Sequence, residues 1–221
     1  MRQLTLVAIV AGLLIAAATA KASAQAIPEV LPLLPVTDGV LFPGVSNEIQ
    51  IQVPEHVLLV DDAVKGNSLI GLVTLRPGGA PTPFGKGEIF QTGVITVIDD
   101  VKRSQDGRLY ILVRSVMRFR VQSEDQTKPY RVGHLELLPD MIASDEIATL
   151  AALRARVDEL IKLVDPIALQ TRDDEERINK LAFYLDVDLF ERQALLEQNG
   201  VIPRAQAMID LLTMKLANKP R

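Results

Sequence analysis

The sequence Leu31-Pro32-Leu33-Leu34-Pro35-Val36, followed by Leu41-Phe42-Pro43-Gly44, is the most informative part of this chain for its architecture. Its prolines lack a backbone N–H group, so they suit a sheet edge or the first residue of a strand. Asp38-Gly39 and Phe42-Pro43-Gly44 are typical of turns, because glycine adopts positive φ at little cost. We therefore predict an edge strand that is followed by tight turns.

The sequence continues as strands and turns up to Pro139-Asp140. Residues 49–53 alternate between apolar side chains and glutamine, which predicts a half-buried strand. Asp106-Gly107 lies between two apolar segments and indicates a hairpin. One helix is predicted in this half, from Glu55 to Lys65, with Gly66 as its end. Further strands are predicted at residues 69–75, 93–98, 109–119 and 130–138.

After Asp140 the spacing of the apolar residues becomes helical. Leu196 lies on the apolar side of the third of these helices, so we expect Leu196→Ala to cost about 2–5 kcal/mol of stability. The chain is therefore predicted to be an α+β protein, with a β-rich subdomain at 25–140 and a helical bundle at 141–221. Helices are predicted at residues 147–164, 173–185, 189–198 and 203–217.

The first 24 residues have the pattern of a signal peptide. Arg2 precedes a run of 15 mostly apolar residues, Leu4 to Ala18, and Ala22-Ser23-Ala24 is a small-x-small cleavage signature. The alternative is an uncleaved anchor, but a membrane-spanning helix needs about 20 apolar residues. We expect cleavage after Ala24, export to the periplasm or the exterior, and no stable membrane span afterwards.

Charge and composition exclude several classes of function. The formal net charge is −4 and becomes −6 when Arg2 and Lys21 are removed with the leader, which argues against a nucleic-acid partner. The chain contains no cysteine, so it has no disulfide, no thiolate metal site and no cysteine nucleophile. Packing alone must hold an exported chain of this kind together.

The sequence gives little indication of catalysis. Its two histidines are His56 and His134, and no serine occurs in a nucleophile-elbow or Ser-x-x-Lys context. The runs of acidic residues lack the alternate spacing of a calcium loop. We expect neither an enzyme nor a metal or cofactor. The alternative is a hydrolase that uses an unrecognised site at His134 or His56.

The segment Pro81 to Gly85 is a candidate contact for a ligand. Pro83 and its neighbouring proline favour an extended backbone, and Phe84 on an exposed loop would dock an apolar segment. The alternative is that Phe84 folds back and fills one end of the sheet. The residues alone leave both interpretations open.

A basic string on one predicted strand is the second candidate. Arg114, Arg118 and Arg120 share one face of the strand if no bulge intervenes. Arg118 and Arg120 would then form a site for a small anion or a C-terminal carboxylate. The alternative, which we favour, is pairing with neighbouring acids such as Glu124 and Asp125.

Several segments together resemble the N-terminal, substrate-binding domain of Lon proteases, in matching order and spacing from about residue 31 to residue 216. Ser115 stands where that family commonly has glycine, so the strand geometry there does not follow from the resemblance. The segments are the two opening motifs at 31–35 and 41–44, Ile70–Thr74, Gln91–Ile95, Asp106–Leu109, Arg118–Val121, and Gln193–Glu197 with Arg204.

The resemblance implies a PUA-like β pseudo-barrel followed by a helical bundle, used to recognise unfolded or tagged polypeptides. Full-length Lon continues into an ATPase and a Ser-Lys protease, whereas these 221 residues contain no Gly-x-x-x-x-Gly-Lys-Ser/Thr phosphate loop. We therefore expect a stand-alone, non-catalytic, exported module that binds unfolded or apolar polypeptides, or that serves a partner protease or chaperone. The remaining alternative is a structural subunit of an exported complex.

Overall fold

The structure, a computed structural model, describes residues 27–78, 87–106, 108–125, 127–164 and 167–218. The predicted leader at 1–24 and the candidate residues Pro83 and Phe84 lie outside these ranges, so both remain predictions. Among the described residues, none of the helices combines the length and the apolar character that crossing a membrane requires.

Strands and helices both form within the described residues, which confirms the α+β class. β4 and β5 are longer than predicted, and α5 begins before Pro203 instead of at it. The strands are β1 Val30–Val36, β2 Ser46–Ile51, β3 Leu69–Thr74, β4 Thr92–Arg103, β5 Leu109–Asp125 and β6 Arg131–Leu138. The helices are α1 Pro54–Lys65, α2 Ile147–Val164, α3 Asp174–Tyr184, α4 Leu189–Leu196 and α5 Val201–Ala217.

The strands form one sheet in the order β2-β5-β4-β3-β1-β6, and β5 also pairs with β6. These pairings join β1, β3, β4, β5 and β6 in a cycle, and β2 lies outside it. The length of β5 makes this possible, because residues 109–114 pair with β2 and residues 118–125 pair with β6. The β1–β3 pair is parallel and the other pairs are antiparallel.

β1 has a neighbouring strand on one side at a time along almost all of its length. Residues 30–33 pair with β6 and residues 33–36 pair with β3, so Leu34 to Val36 have a neighbour on one side alone. Val30 to Pro32 likewise pair with β6 and not with β3, so Leu33 is the residue of β1 that pairs with both neighbours. Each half of β1 therefore has one free edge, as predicted, although the strand lies between β3 and β6 in the sheet order. The second half, Leu34 to Val36, lines a groove that β2 also borders.

A bulge in β5 changes which face of the sheet its side chains occupy. Ser115 lies opposite Thr96 and Met117 opposite Ile95, so Val116 has no partner of its own on β4. Residue 113 then packs in a large core cluster with the helices, whereas Phe119 packs in a smaller cluster on the other face. The prediction that Arg114 shares a face with the other two arginines is wrong, because the bulge reverses the alternation.

The turn after β1 is held against β5 by Ser115. Its buried hydroxyl lies 2.6 Å from the carbonyl oxygens of both Phe42 and Val45 and can donate to either one. Its backbone N–H donates to the Val45 carbonyl, and its own carbonyl accepts from Gly44 N–H, at 2.9 and 3.0 Å. Gly44 has a φ of 79°, which glycine adopts readily. Serine at this position thus fastens the predicted turn.

Gly93 on β4 is predicted to tolerate no side chain. A Cβ atom there would lie inside van der Waals contact of the Leu72 carbonyl oxygen and 2.8 Å from Cζ of Phe119. We expect Gly93→Ala to lower the free energy of unfolding by about 1–3 kcal/mol. Gly39→Ala is the control, because a Cβ at Gly39 meets nothing within 4 Å. Equal urea midpoints for both variants would contradict this packing.

Candidate functional site

The sheet and the helices meet at a cluster of buried charged residues. Both oxygens of the Asp140 carboxylate are used: Oδ1 accepts from Arg118 at 2.9 and 2.5 Å, and Oδ2 accepts from Arg204 at 3.0 Å. Arg118 is 2% exposed and Arg204 is fully buried. This cluster, which we call the junction, joins β5, the segment after β6, and α5 through one carboxylate.

The end of α4 and a residue in the middle of α3 complete the junction. Arg118 donates to the Leu196 carbonyl at 3.3 Å, and Arg204 Nε donates to the Leu195 carbonyl at 3.1 Å. These carbonyls lie in the last turn of α4, where a helix leaves acceptors without internal partners. Arg204 also donates to Asn179 Oδ1 on α3, at 2.6 Å. The two guanidinium groups thus fix the end of α4 against the sheet.

Gln193 and Arg204, which belong to the segment of the helical half that resembles the Lon family, both lie at the junction. Gln193 donates to the Thr92 carbonyl on β4 at 3.0 Å and to Glu197 at 2.9 Å. The Arg204 guanidinium lies 5.7 Å from the centre of the Phe42 ring, so the opening motif is reached as well. These motif residues hold the two halves of the chain together.

Burial dominates the electrostatics of the junction. Burial lowers the pKa of Arg204, and the negative charge of the Asp140 carboxylate acts in the opposite direction. The pKa of the nearby Glu175 is raised, first by burial and then by the carboxylates of Asp140 and Asp173. The Arg118 and Arg204 guanidinium groups and the Asp140 carboxylate are almost entirely withdrawn from solvent, so these three are not available to a ligand.

The prediction of an anion site at the arginines of β5 is therefore corrected in part. The burial of Arg118 argues against a ligand contact there, because its guanidinium is engaged inside the protein. Arg120 is exposed and pairs with Glu136 at 3.1 Å, and its role in binding stays a prediction. Arg114 pairs with Asp99 at 3.0 Å. Pairing with acids is confirmed, but the acids are not the two that we named.

Those two acids have other partners. Glu124 accepts from Arg131 at 2.6 Å, and Asp125 lies 3.6 Å from Nε2 of His134. Ser123 stands opposite His134 in the β5–β6 pairing, but no described hydrogen bond joins its hydroxyl to the imidazole. A hydrolytic site requires a nucleophile in contact with its base. Among the described residues, no group of three metal-ligating side chains occurs either.

A groove of about 880 Å³ lies between β2, the end of β1 and the α3–α4 region. Its volume is at the upper end of the range of about 300–1,000 Å³ for ligand sites. Consecutive residues of β2 line one wall, so the groove runs along the strand's edge as well as its face. Its lining includes residues 34–39, 41, 47–53 and 75, together with His56, Phe183, Tyr184 and Arg192.

Two strand edges without a neighbour border this groove. Among the described residues, β2 pairs with β5 alone, and the second half of β1 pairs with β3 alone. The other edge of each strand carries backbone N–H and C=O groups that no strand satisfies. The groove can therefore offer hydrogen bonds to a backbone as well as apolar contact.

The helical wall of the groove is aromatic. The rings of Phe183 and Tyr184 pack edge to face, with centroids 4.8 Å apart and planes at 76°. Tyr184 is 52% exposed, so much of its ring can contact a ligand. Arg192 donates to the Leu185 carbonyl at 2.8 Å, so part of its guanidinium is used to close the α3–α4 turn.

The groove carries two carboxylates that lack a basic partner among the described residues. Glu48 on β2 and Asp38 after β1 are both exposed, and neither forms an ion pair there. Asp38 accepts a hydrogen bond from the Thr37 hydroxyl at 3.1 Å. The groove thus combines an aromatic wall, free strand edges and a negative rim.

Comparison with known proteins gives consistent matches. A Lon protease of Trichlorobacter lovleyi is 30% identical over 198 residues, which cover 84% of this chain and 24% of that protein. Lon protease 2 of Myxococcus xanthus is 27% identical over 208 residues, covering 87% and 25%. The chain therefore spans about a quarter of the length of these curated relatives.

Solved structures show the same fold. A Lon N-terminal domain protein from Xanthomonas campestris has a TM-score of 0.60 at 22% identity, over 86% of this chain and 99% of that one. The N-terminal domain of the Mycobacterium avium complex Lon protease has a TM-score of 0.61 at 19% identity, over 83% and 98%. The model of one family, described as the ATP-dependent protease La (LON) substrate-binding domain, matches residues 30–214. This match covers most of the chain, which therefore belongs to the LON substrate-binding domain family.

Proposed function

We propose that this chain binds unfolded or apolar polypeptide segments in the groove between β2 and the end of β1. The observation that carries this proposal is the juxtaposition of two unpaired strand edges with the exposed Tyr184 ring in a groove of about 880 Å³. Membership of a substrate-binding family supports a polypeptide as the ligand. An aromatic wall provides apolar contact that tolerates different side chains, and a free edge binds any backbone.

The proposal includes the finer features implied by the resemblance. The cycle of five strands corresponds to a PUA-like pseudo-barrel, and α2–α5, which pack against one another, correspond to the helical bundle. The proposed action is binding without catalysis, because the matching family is a substrate-binding domain. Polypeptides, or a protease or chaperone that receives them, are its partners.

Export is the second part of the proposal and rests on the sequence of residues 1–24. The expected result is a mature protein that begins at Gln25, as measured by mass spectrometry of the protein isolated from its host. A protein that retains Met1 and is recovered from the cytosol would contradict export. It would leave the groove proposal unaffected.

Binding is tested with a reduced, carboxymethylated protein as a permanently unfolded probe. We expect saturable binding by fluorescence anisotropy, and we expect Tyr184→Ser to weaken it about tenfold, because exposed aromatic anchors dominate such contacts. Met214→Ser is the matched control, since Met214 is 60% exposed on α5 and does not line the groove. Equal loss in both variants, or no saturable binding by a folded chain, would contradict the proposal.

A further inference from the structure

We infer that the groove binds its polypeptide as an added β-strand along the free edge of β2, and that it prefers segments that carry lysine or arginine. The inference rests on the proposed function and goes further, because it names both the binding geometry and the chemistry of the bound segment. It follows from the direction of the backbone groups on β2, from the proline on the opposite wall, and from the charges in the groove.

The alternation of hydrogen-bonded pairs between β2 and β5 decides which backbone groups of β2 face the groove. Ser115 N–H donates to the Val45 carbonyl, and these two residues continue the register Ser46↔Arg114. Hydrogen-bonded pairs alternate with non-bonded pairs in an antiparallel ladder. Asn47, Ile49 and Ile51 therefore direct their backbone groups to β5. The N–H and C=O groups of Ser46, Glu48 and Gln50 point to the other side, where an added strand would bind.

The opposite wall is a poorer partner for a strand. The Val36 carbonyl accepts from Leu75 N–H at 2.9 Å, so the backbone groups of Val36 face β3. By alternation, Pro35 faces the groove, and proline has no N–H group to donate. Because this edge of β1 lacks a donor at its centre, we expect the added strand to pair with β2. The side chains of the added strand would then contact the β1 wall.

Charge complementarity selects the bound segment. The residues lining the groove that can carry a charge near neutral pH are Asp38, Glu48, His56 and Arg192. The two carboxylates have no basic partner among the described residues, whereas Arg192 already donates to the Leu185 carbonyl. With a neutral imidazole the groove carries a formal charge of −1. A strand with basic side chains at alternate positions would place them beside the β2 carboxylate, and an acidic strand would be repelled.

The probe is a fluorescein-labelled octapeptide of alternating lysine and valine, tested with the purified chain. In an added strand, alternate N–H groups face β2, so N-methylation of one alternate set removes the hydrogen bonds and N-methylation of the other set does not. We expect one N-methylated isomer to bind at least tenfold more weakly than the parent peptide. A tenfold loss corresponds to about 1.4 kcal/mol of binding free energy. The other isomer is expected to bind within about threefold of the parent peptide, because its methylated N–H groups do not face β2.

Two variants test the β2 side of the contact. Gln50→Pro removes one groove-facing N–H group and leaves the bonds to β5 in place, which an edge strand tolerates. We expect it to weaken binding about tenfold with an unchanged circular dichroism spectrum. Glu48→Lys is expected to reverse the preference, so that a glutamate–valine octapeptide binds better than the lysine–valine peptide. Glu159→Lys, an exposed exchange on α2, is the control and should leave the preference unchanged.

Each outcome decides one part of the inference. Equal binding of both N-methylated isomers would overturn strand addition, even if Gln50→Pro fails to fold. Equal binding of the lysine and glutamate peptides would overturn the charge preference. A stable dimer in sedimentation that the peptide does not dissociate would assign the β2 edge to a second copy instead. If the unfolded protein probe binds while these tests fail, the inference is wrong and the proposed function stands; if neither binds, both are wrong.

Discussion

Asp140→Ala is expected to lower the free energy of unfolding by about 3–5 kcal/mol, the range for removing one partner of a buried ion pair. The Asp140 carboxylate is the direct anionic partner of two buried guanidinium groups, those of Arg118 and Arg204. Its removal leaves both buried guanidinium groups without a carboxylate in direct contact. Urea denaturation followed by circular dichroism measures the change.

The control for this variant is Glu136→Ala. Glu136 pairs with Arg120 at 3.1 Å in an exposed ion pair, and such pairs contribute about 0–1 kcal/mol. If Asp140→Ala does not fold, Asp140→Asn retains the size of the side chain and one acceptor, and we expect it to fold with an intermediate loss. A loss below about 1 kcal/mol for Asp140→Ala would show that the junction is solvated and does not join the two halves.

Leu196→Ala is expected to cost about 2–5 kcal/mol, because it removes buried carbon atoms and leaves a cavity where the helices meet the sheet. The helical spacing predicts Leu196 in the core, and the structure confirms its burial at 2% exposed. Its carbonyl, which accepts from Arg118, is retained in the alanine variant. The measured loss therefore reports side-chain packing and not the junction hydrogen bond.

The matched control is Leu163→Ala on α2, where the leucine is 61% exposed. We expect a change within about 0.5 kcal/mol, as for most surface substitutions. Urea midpoints for the two variants, measured with the same denaturation slope, give the comparison. A Leu196→Ala loss no larger than the Leu163→Ala loss would mean that α4 is packed less tightly than the structure shows.

Local signals in the sequence were sufficient for most elements of secondary structure. The acidic start of α3 is an example: Asp173 Oδ1 accepts from Glu176 N–H at 2.7 Å as the N-cap. The turn at Gly44, where φ is 79°, follows from glycine's backbone freedom, which depends on no distant residue. Such features depend on neighbours within a few positions, so the chain alone predicts them.

Features that depend on distant pairing were not predictable. The bulge at Val116 lets β5 contribute to two core clusters on opposite faces of the sheet. The departure from the family at Ser115 left the strand geometry open there, but no local pattern predicted a bulge. The burial of Arg118 has the same origin, since its partner Asp140 and the end of α4 are brought to it by the fold. The resemblance indicated Arg204 without indicating what it contacts.

The groove could be foreseen only in part. The alternation at residues 49–53 predicted β2 as a half-buried strand, and this was correct in kind. The two free edges that border the groove were not predictable. The free edge of β1 depends on the residue at which β6 stops pairing with it, and the free edge of β2 depends on which half of β5 pairs with β2. Candidate residues Pro83 and Phe84 lie outside the described residues, so their part in binding remains a prediction.

The most direct test of the account maps the bound polypeptide onto the chain. Backbone amide chemical shifts of the isotope-labelled protein are recorded by NMR during titration with the carboxymethylated unfolded protein. We predict that the largest shifts fall on residues 46–53, on residues 34–39 and at Tyr184, and that residues of α5 such as Met214 shift little. Saturable binding whose shifts fall on another surface, with the β2 amides unchanged, would contradict the central claim that this groove is the polypeptide-binding site.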